Sequence, residues 1–477
     1  MVRLRISQAF SLCISVYALE LIGVLYHFDP TSSRRKLSQQ STVLHKKVYG
    51  TLHLSNTTAS RFRYPDARTR FPLPAWLDQF LQSQPKSTHM EKLLDPNAKF
   101  LVMTCHLFKE TLPEDCGGIS DRLYLVPYYL WLAHRTGRIF AIRYSQPHPL
   151  EELLIPPDDG FDWTLPDGVI DAEWEAYANR SFAEYYEQRR FVWHAHIDKP
   201  KWNNTRVIFA NTNLVIPKVA PYSLPPNLNL DDAWPGIFRR MFQPSPGLAT
   251  MIDTWADQHQ HLVPGSYSAA HVRAKFPVGE TEIKLNVQRG DTMGGGLDMK
   301  DPGTRASVQQ VSSNAVQCAW KANHDTKYIY FASDSNEMTK FVLTEQPLLR
   351  QQGGSDGVPI IARPNGGSDE PVHFQRHDTT PQDLYPAIFD LWVMAHAKCM
   401  AQGYGGFAHF ASQLSGYHYS CRVLHRSYTV GVMPLCPKPG QEKRDVETSM
   451  LLATNKTPAV YLQPPGREQY YLSHKAM

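Results

Sequence analysis

The chain has no large excess of charge of either sign, and it lacks several short motifs that mark common sites. Its 49 Lys and Arg residues nearly balance 45 Asp and Glu residues, which leaves a net charge of +4. This balance gives no support to nucleic-acid binding. No CxxC pair and no cluster of His and Cys has zinc-site spacing, and no repeat of fixed period is present. The length of 477 residues predicts two or three compact units.

Long apolar runs are also scarce, and the one that is present lies near the N-terminus. Residues Ala9–Phe28 are almost wholly apolar, with Glu20 as the exception, and their length matches the core of a bilayer. We predict an uncleaved signal anchor, because no small-x-small cleavage site follows directly. A cleaved signal peptide and a buried helix are the alternatives. Basic residues lie on both sides, at Arg3, Arg5 and 34–36, so the positive-inside rule does not fix the orientation.

Sequons and cysteines favour a body in the lumen of the secretory pathway. Glycan acceptor tripeptides begin at Asn56, Asn179, Asn203 and Asn455. Six cysteines follow the apolar run, enough for three disulfides in an oxidising compartment. We expect short loops closed by the pairs Cys105–Cys116 and Cys421–Cys436. These features predict a single-pass type II glycoprotein of the Golgi or endoplasmic reticulum membrane with a luminal body.

Alternating strand and helix patterns predict an α/β fold. Residues 29–96 are rich in Ser, Thr, Arg, Gln and Pro, which is typical of a stem or linker. A strand, a glycine turn, a helix and a strand over 99–142 form a βαβ pattern, and a second α/β pattern begins with a strand at 266–272. We predict two Rossmann-like domains that face a cleft. The predicted divisions are an anchor at 1–28, a stem at 29–96, domains at 97–264 and 265–440, and a tail at 441–477.

Three strand ends in the second half carry the residues from which we predict a site. His271 and Arg273 follow a run of small apolar residues, and an arginine fork suits a phosphate pair. Asp334 ends a later strand, where it either accepts hydrogen bonds from a base or ribose or caps the next helix. Gly403–Phe407 opens a helix, where backbone amides favour a phosphate. Because ligands bind outside the carboxyl ends of strands in open α/β sheets, these residues predict a nucleotide-sugar site.

Four short segments, spread over residues 99–435, carry a family resemblance. Gly118–Leu123 is similar to a G-x-G-[ND]-R-L turn, and His271–Arg273 to an H-x-R strand end. Phe331–Asp334 is similar to a strand that ends in Asp, and Gly405–Ala411 to a late run of small residues that opens a helix. The Val-Gly pair at 278–279 follows the H-x-R segment, as a Val-Gly pair does in the α1,6-fucosyltransferases. Together the segments resemble the fucosyltransferase superfamily of inverting, GT-B-type glycosyltransferases, which includes α1,6-fucosyltransferases and protein O-fucosyltransferases.

The resemblance implies a GT-B-like fold, GDP-fucose as the donor, no metal or other cofactor, and transfer to a glycan or glycoprotein acceptor. It places Arg273 at the pyrophosphate and His271 near the nucleotide. The remaining donor-binding residues that it implies are Lys275, Asp334, Gly405, Gly406, Gly118, Asp121 and Arg122. Glu280 and Glu282 flank the position of the α1,6 branch's acceptor base, so with Arg273 they are the candidate catalytic residues. No Asp-x-Asp pair lies at a strand end, which argues against a metal-dependent GT-A enzyme.

The chain departs from the family pattern directly after Arg273. The segment 274–277 replaces the family's Arg-Thr-Asp-Lys, and Lys275 is the charge that can substitute there. Gly405 and Gly406 stand where the family has Ser or Thr. These departures motivate a second hypothesis, a catalytically inactive relative that binds a nucleotide or glycan as a partner protein. A luminal sulfotransferase ranks below both, because Gly117–Ser120 lacks the lysine of a phosphosulfate loop.

Overall fold

The computed structural model describes most of the chain between residues 62 and 425. The described residues are 62–64, 67–105, 117–144, 146–179, 200–211, 230–259, 262–275, 297–347, 349, 357–364, 371–372, 374, 379–403, 406–416, 421–425 and 436. All of them belong to one unit that spans Ser60–Met477. The predicted anchor at 1–28 and the predicted tail at 441–477 lie outside the described residues. None of the helices that are described is long and apolar enough to cross a bilayer.

Strands and helices alternate along the chain. The strands are β1 Phe100–Cys105, β2 Ile139–Tyr144, β3 Leu154–Ile155, β4 Val207–Asn211, β5 Gln243–Pro244, β6 Ser268–Val272, β7 Ile329–Ser333, β8 Ile360–Ile361, β9 Cys399–Gln402 and β10 Arg422–Leu424. The helices are α1 Ala67–Arg70, α2 Ala75–Gln82, α3 Lys86–Leu93, α4 Ile119–Leu123, α5 Val126–Arg135, α6 Asp171–Ala178, α7 Pro200–Asn203, α8 Leu230–Met241, α9 Pro246–Gln258, α10 Pro302–Ala322, α11 Asn336–Thr344, α12 Tyr385–Ala395 and α13 Gly406–Leu414. Within the described residues, 3-10 turns lie at Leu150–Glu152 and Pro381–Leu384.

The first sheet holds three parallel strands in the order β2-β1-β4. β1 is buried along its whole length, as expected of a central strand covered on both faces. Side chains of α4 and α5 join one face of this sheet in a central apolar cluster, whereas Leu93 and Tyr177 cover the other face. The single helix predicted after the glycine turn is divided into α4 and α5. Pro127 lies in the first turn of α5, where a missing N–H is tolerated.

The second sheet holds five parallel strands in the order β10-β9-β6-β7-β8. Residues of α12 and α13 cover one face and belong to the same central cluster as the first sheet. Residues of α10 and α11 cover the other face. The two parallel sheets confirm the predicted mixed α/β class. Among the described strands, β10 forms the edge next to β9.

The structure differs from the predicted linker between residues 62 and 93. Three helices, α1 to α3, lie there, and apolar residues spaced three or four apart turn inward from α2, whereas α1 buries none of its residues. Phe62, Leu77 and Leu93 are each no more than 1% exposed. Trp392 donates its indole N–H to the carbonyl of Phe62 at 3.4 Å. This part of the chain therefore belongs to the folded body.

The cysteines pair across the second half of the fold. Cys318 in α10 bonds to Cys436, and Cys399 in β9 bonds to Cys421, with Cα–Cα distances of 5.1 Å and 4.6 Å. The predicted Cys421–Cys436 pair is therefore wrong, because β9 and β10 are neighbours and bring Cys421 to Cys399. Cys105 is also disulfide-bonded. Cys116, its predicted partner, lies outside the described residues.

Candidate functional site

The predicted strand ends meet at the carboxyl edge of the second sheet. β6, β7 and β8 follow one another toward one side of this sheet, whereas β9 and β10 extend from the other side of β6. The strand order therefore reverses between β6 and β9, and such topological switch points are where open α/β sheets bind ligands. Arg273 comes directly after β6, and α13 begins at Gly406 after β9. A cation and a helix N-terminus thus flank the switch point, and both favour an anion.

His271, in β6, is enclosed at this edge. Its side chain is buried, and its ring lies 5.5 Å from the ring of Phe407 in the first turn of α13. Burial, as the largest cause, lowers the pKa of His271 to about 3 together with the neighbouring His425 and Arg273. The imidazole is therefore neutral at physiological pH. It can form hydrogen bonds there, but it cannot supply a positive charge to a phosphate.

His425 belongs to the same site, although no motif indicated it. It follows β10, and its Nε2 lies 2.6 Å from the carbonyl oxygen of His271. A carbonyl only accepts, so Nε2–H is the donor and carries the proton of the neutral ring. Burial lowers the pKa of His425 to about 4, against the opposing effect of that hydrogen bond. The contact depends on the order of the strands, which the sequence alone does not give.

Asp334, the predicted residue after β7, holds the chain that follows Arg273. Its Oδ1 accepts a hydrogen bond from the backbone N–H of Ala274 at 2.6 Å, and its Oδ2 accepts one from Lys275 at 3.1 Å. A carboxylate that accepts from two successive amides fixes the turn between them. This contact positions the segment that carries Arg273. Whether the same carboxylate also contacts a nucleotide stays a prediction.

Lys275 is buried, and its ammonium pairs with a carboxylate of α11. Nζ lies 3.4 Å from Oε2 of Glu337. Although burial raises the pKa of Glu337, its own backbone N–H, the hydroxyl of Ser335 and Lys275 together hold it below its ordinary value. Ser335 also caps α11, because its Oγ accepts from the backbone N–H of Met338. The lysine that the resemblance implies for donor binding is therefore tied to the start of this helix.

The glycine turn of the first half packs against the start of α13. The backbone N–H of Gly118 donates to the carboxylate of Asp121 at 2.9 Å, which caps α4. A Cβ atom added at Gly406 would lie 3.2 Å from Oγ of Ser120 and 3.9 Å from Oδ1 of Asp121. Glycine at 406 permits this close approach of the two helices. The structure thus brings Gly118, Asp121 and Gly406 together, as one site requires.

Arg122 lies beneath this turn and is 1% exposed. Its guanidinium donates to the carbonyls of Gly117 and Phe374, each at 3.0 Å, and to that of Gln146. Burial lowers its pKa to about 10, so the group stays charged at neutral pH. Arg122 therefore ties three segments of the fold together. Its predicted donor contact stays a prediction.

Several predicted residues cannot be placed. Glu280, Glu282 and Gly405 lie outside the described residues. Among the residues that are described, no three His, Cys, Asp or Glu side chains lie close enough to hold a metal ion. The metal-independent chemistry implied by the family resemblance stays a prediction.

Comparison with known proteins adds no family assignment. No protein-family model matches the chain, and no curated protein matches it. The interpretation of the site therefore depends on its geometry and on the motifs described above.

Proposed function

We propose that the protein is an inverting glycosyltransferase that transfers fucose from GDP-fucose to a glycan or glycoprotein. The observation that carries the proposal is the switch point between β6 and β9, where Arg273 and the first turn of α13 lie on either side. A nucleoside diphosphate is an anion of the size and charge that such an edge favours. The two parallel sheets are compatible with the GT-B arrangement that the motifs suggest.

The chemistry would be a single displacement at the anomeric carbon of the sugar. The acceptor oxygen forms a bond to that carbon while the bond to the diphosphate breaks. Arg273 and the amides of α13 stabilise the charge that develops on the leaving diphosphate. Glu280 or Glu282 takes the proton from the acceptor hydroxyl. Neutral His271 contributes hydrogen bonding.

The setting of the proposed activity is the lumen of the secretory pathway. Cys318–Cys436 and Cys399–Cys421 are bonded, and Cys105 is disulfide-bonded as well. Disulfides persist in secretory compartments and are rare in the cytosol. These bonds support the predicted Golgi or endoplasmic reticulum location, with the segment 1–28 as the membrane anchor.

A binding protein without transferase activity is the second candidate. The observation that favours it is that Lys275, Asp334 and Arg122 each contact protein groups. If these polar groups bind other parts of the protein, fewer of them contact a bound nucleotide than the motifs imply. Such a protein binds GDP but does not release it from GDP-fucose.

Calorimetry on the full chain in detergent tests the proposal. GDP, UDP and phosphoadenosine phosphate are titrated without added metal into wild type, Arg273→Ala and the control Arg305→Ala, whose exposed side chain pairs with Glu345. We expect GDP to bind selectively, Arg273→Ala to lose at least about 10-fold in affinity, and the control to bind like wild type. Well-folded wild type that fails to bind GDP refutes the proposal. A protein that binds GDP but releases none from GDP-fucose in the presence of mixed glycoprotein acceptors is a binding protein without transferase activity.

A further inference from the structure

Two buried polar side chains at the switch point have atoms without a hydrogen-bond partner among the described residues. Gln402 ends β9 and is 9% exposed, and His271 lies next to it in β6 and is 4% exposed. Within the described part of the chain, Oε1 of Gln402 and Nδ1 of His271 have no hydrogen-bond partner. Folded proteins pair nearly all such buried atoms, so each exception needs an explanation. Two exceptions on adjacent strands at the candidate site point to one explanation.

The two side chains lie at the end of the apolar layer between the sheet and its helices. His271 and Gln402 are partners in the parallel register of β6 and β9, so their side chains lie on the same face. The residues before them on that face, Ala269 and Met400, belong to the central cluster. The apolar layer therefore ends where the polar pair begins, at the carboxyl edge of the sheet.

The pair lies directly beside the elements proposed to hold the diphosphate. The ring of Phe407, in the first turn of α13, lies 5.5 Å from the ring of His271. Arg273 is two residues farther along the chain from His271. A diphosphate held by Arg273 and α13 leaves its nucleoside within reach of this pair.

The chemistry of the pair specifies part of the ligand. Oε1 of Gln402 is an amide oxygen and only accepts, so the group that satisfies it must donate a hydrogen. The neutral imidazole of His271 either donates or accepts at Nδ1, according to its tautomer. A nucleoside offers such donors as ribose hydroxyls or as the amine and imino groups of a base.

We propose that Gln402 and His271 form the nucleoside-reading part of the site, in which Gln402 accepts a hydrogen bond from a ribose hydroxyl or a base amine of the donor nucleotide. This inference rests on the proposed function and assigns a specificity-determining role to a residue that no sequence motif identified. Arg273 and α13 would bind phosphate, and the polar pair would distinguish one nucleoside from another.

The test compares Gln402→Met with the control Gln310→Met, an exposed residue of α10. Methionine keeps the length of the side chain and removes its hydrogen-bonding atoms. We expect Gln402→Met to bind GDP with an affinity at least about 10-fold lower than that of wild type, and to bind inorganic pyrophosphate with unchanged affinity. Its melting temperature should equal that of wild type or exceed it. The higher stability is expected because the substitution removes an unsatisfied buried polar atom. A purely structural role for Gln402 predicts the opposite change in melting temperature.

Two analogues identify the contacted group by a double-mutant cycle. Inosine diphosphate lacks the base amine, and 2′-deoxy-GDP lacks one hydroxyl. The analogue without the group that Gln402 contacts should bind wild type and Gln402→Met with equal affinity. Gln402→Asn, which keeps the amide on a shorter side chain, is the second variant and should give an intermediate loss.

The outcomes separate the two proposals. Wild type that binds GDP while Gln402→Met binds it equally well overturns the inference and leaves the proposed function intact. The inference is also overturned if Gln402→Met melts at a lower temperature and loses affinity for GDP and for pyrophosphate equally. Wild type that binds pyrophosphate and no nucleotide overturns both.

Discussion

Acidification should destabilise the fold, because three buried histidines are held neutral. Burial lowers the pKa of His271 and of His396 to about 3, and that of His425 to about 4. In the unfolded chain these groups return to an ordinary pKa of 6.5 and bind protons as the pH falls below it. At pH 5 the three histidines of the folded form are still unprotonated. The free energy of unfolding therefore decreases between pH 7.5 and pH 5.

The magnitude follows from the interval between pH 5 and the ordinary pKa. That interval of about 1.5 units corresponds to about 2 kcal/mol for each histidine, or about 6 kcal/mol for all three. Glu151 opposes this loss. Burial, as the largest effect, raises its pKa to about 7, so the folded form binds a proton near neutrality and gains about 2 kcal/mol at pH 5. For these four groups together the net loss is about 4 kcal/mol, which is a large part of the stability of a typical domain.

Denaturant unfolding of the full chain at pH 7.5 and pH 5 measures this difference. His396→Gln removes one titrating group, so we expect the variant to lose about 2 kcal/mol less than wild type over the same interval. His324→Gln, at an exposed histidine, is the control and should show the wild-type loss. A wild-type loss below about 1 kcal/mol, or an equal loss in His396→Gln, would refute the assignment of neutral buried histidines.

Two further substitutions test other parts of the fold. Leu77→Ala should lower the free energy of unfolding by about 2–5 kcal/mol, because Leu77 is fully buried. The control Gln82→Ala, on the exposed side of the same helix, should change it by less than about 0.5 kcal/mol. Denaturant unfolding measures both, and an unchanged stability in Leu77→Ala would show that α2 does not pack on the folded body. Asp334→Ala should lower the affinity for GDP about 10-fold, because it removes the hydrogen bonds that hold the turn after Arg273. Asp334→Asn, which keeps one acceptor oxygen, should lose less affinity in the same calorimetric titration. Equal affinity in Asp334→Ala and wild type would show that the turn needs no such support.

The sequence predicts the strands of the second sheet well. The mostly apolar runs before His271 and Asp334 are buried strands in the structure. The polar residues that end these runs lie at one edge, because parallel strands place their carboxyl ends together. What the sequence cannot give is which strands are neighbours. Gln402 and His425 reach His271 only because β9 lies beside β6 and β10 beside β9.

The sequence does not predict the helices between residues 67 and 93, and the reason there is a different one. α2 and α3 have eight residues each, and helices this short are not stable alone. Four prolines, at 65, 72, 74 and 85, flank these helices and give the segment the composition of a linker. Phe80 and Leu81 are buried only because the rest of the body covers them. Tertiary packing, which composition does not report, decides the structure of this segment.

Residue type also fails to separate scaffold from ligand contact. Asp334, Lys275 and Arg122 have the charges expected of a donor site, and each of them holds protein groups. Lys275 is the informative case, because it stands where the chain departs from the family pattern. Its ammonium reaches Glu337 at 3.4 Å, so the departure alters how the turn after Arg273 is anchored to α11. At this position the altered residue acts on the backbone turn that carries Arg273, through its ion pair with α11. The departures after Arg273 are therefore a weaker argument against donor binding than the sequence alone suggests.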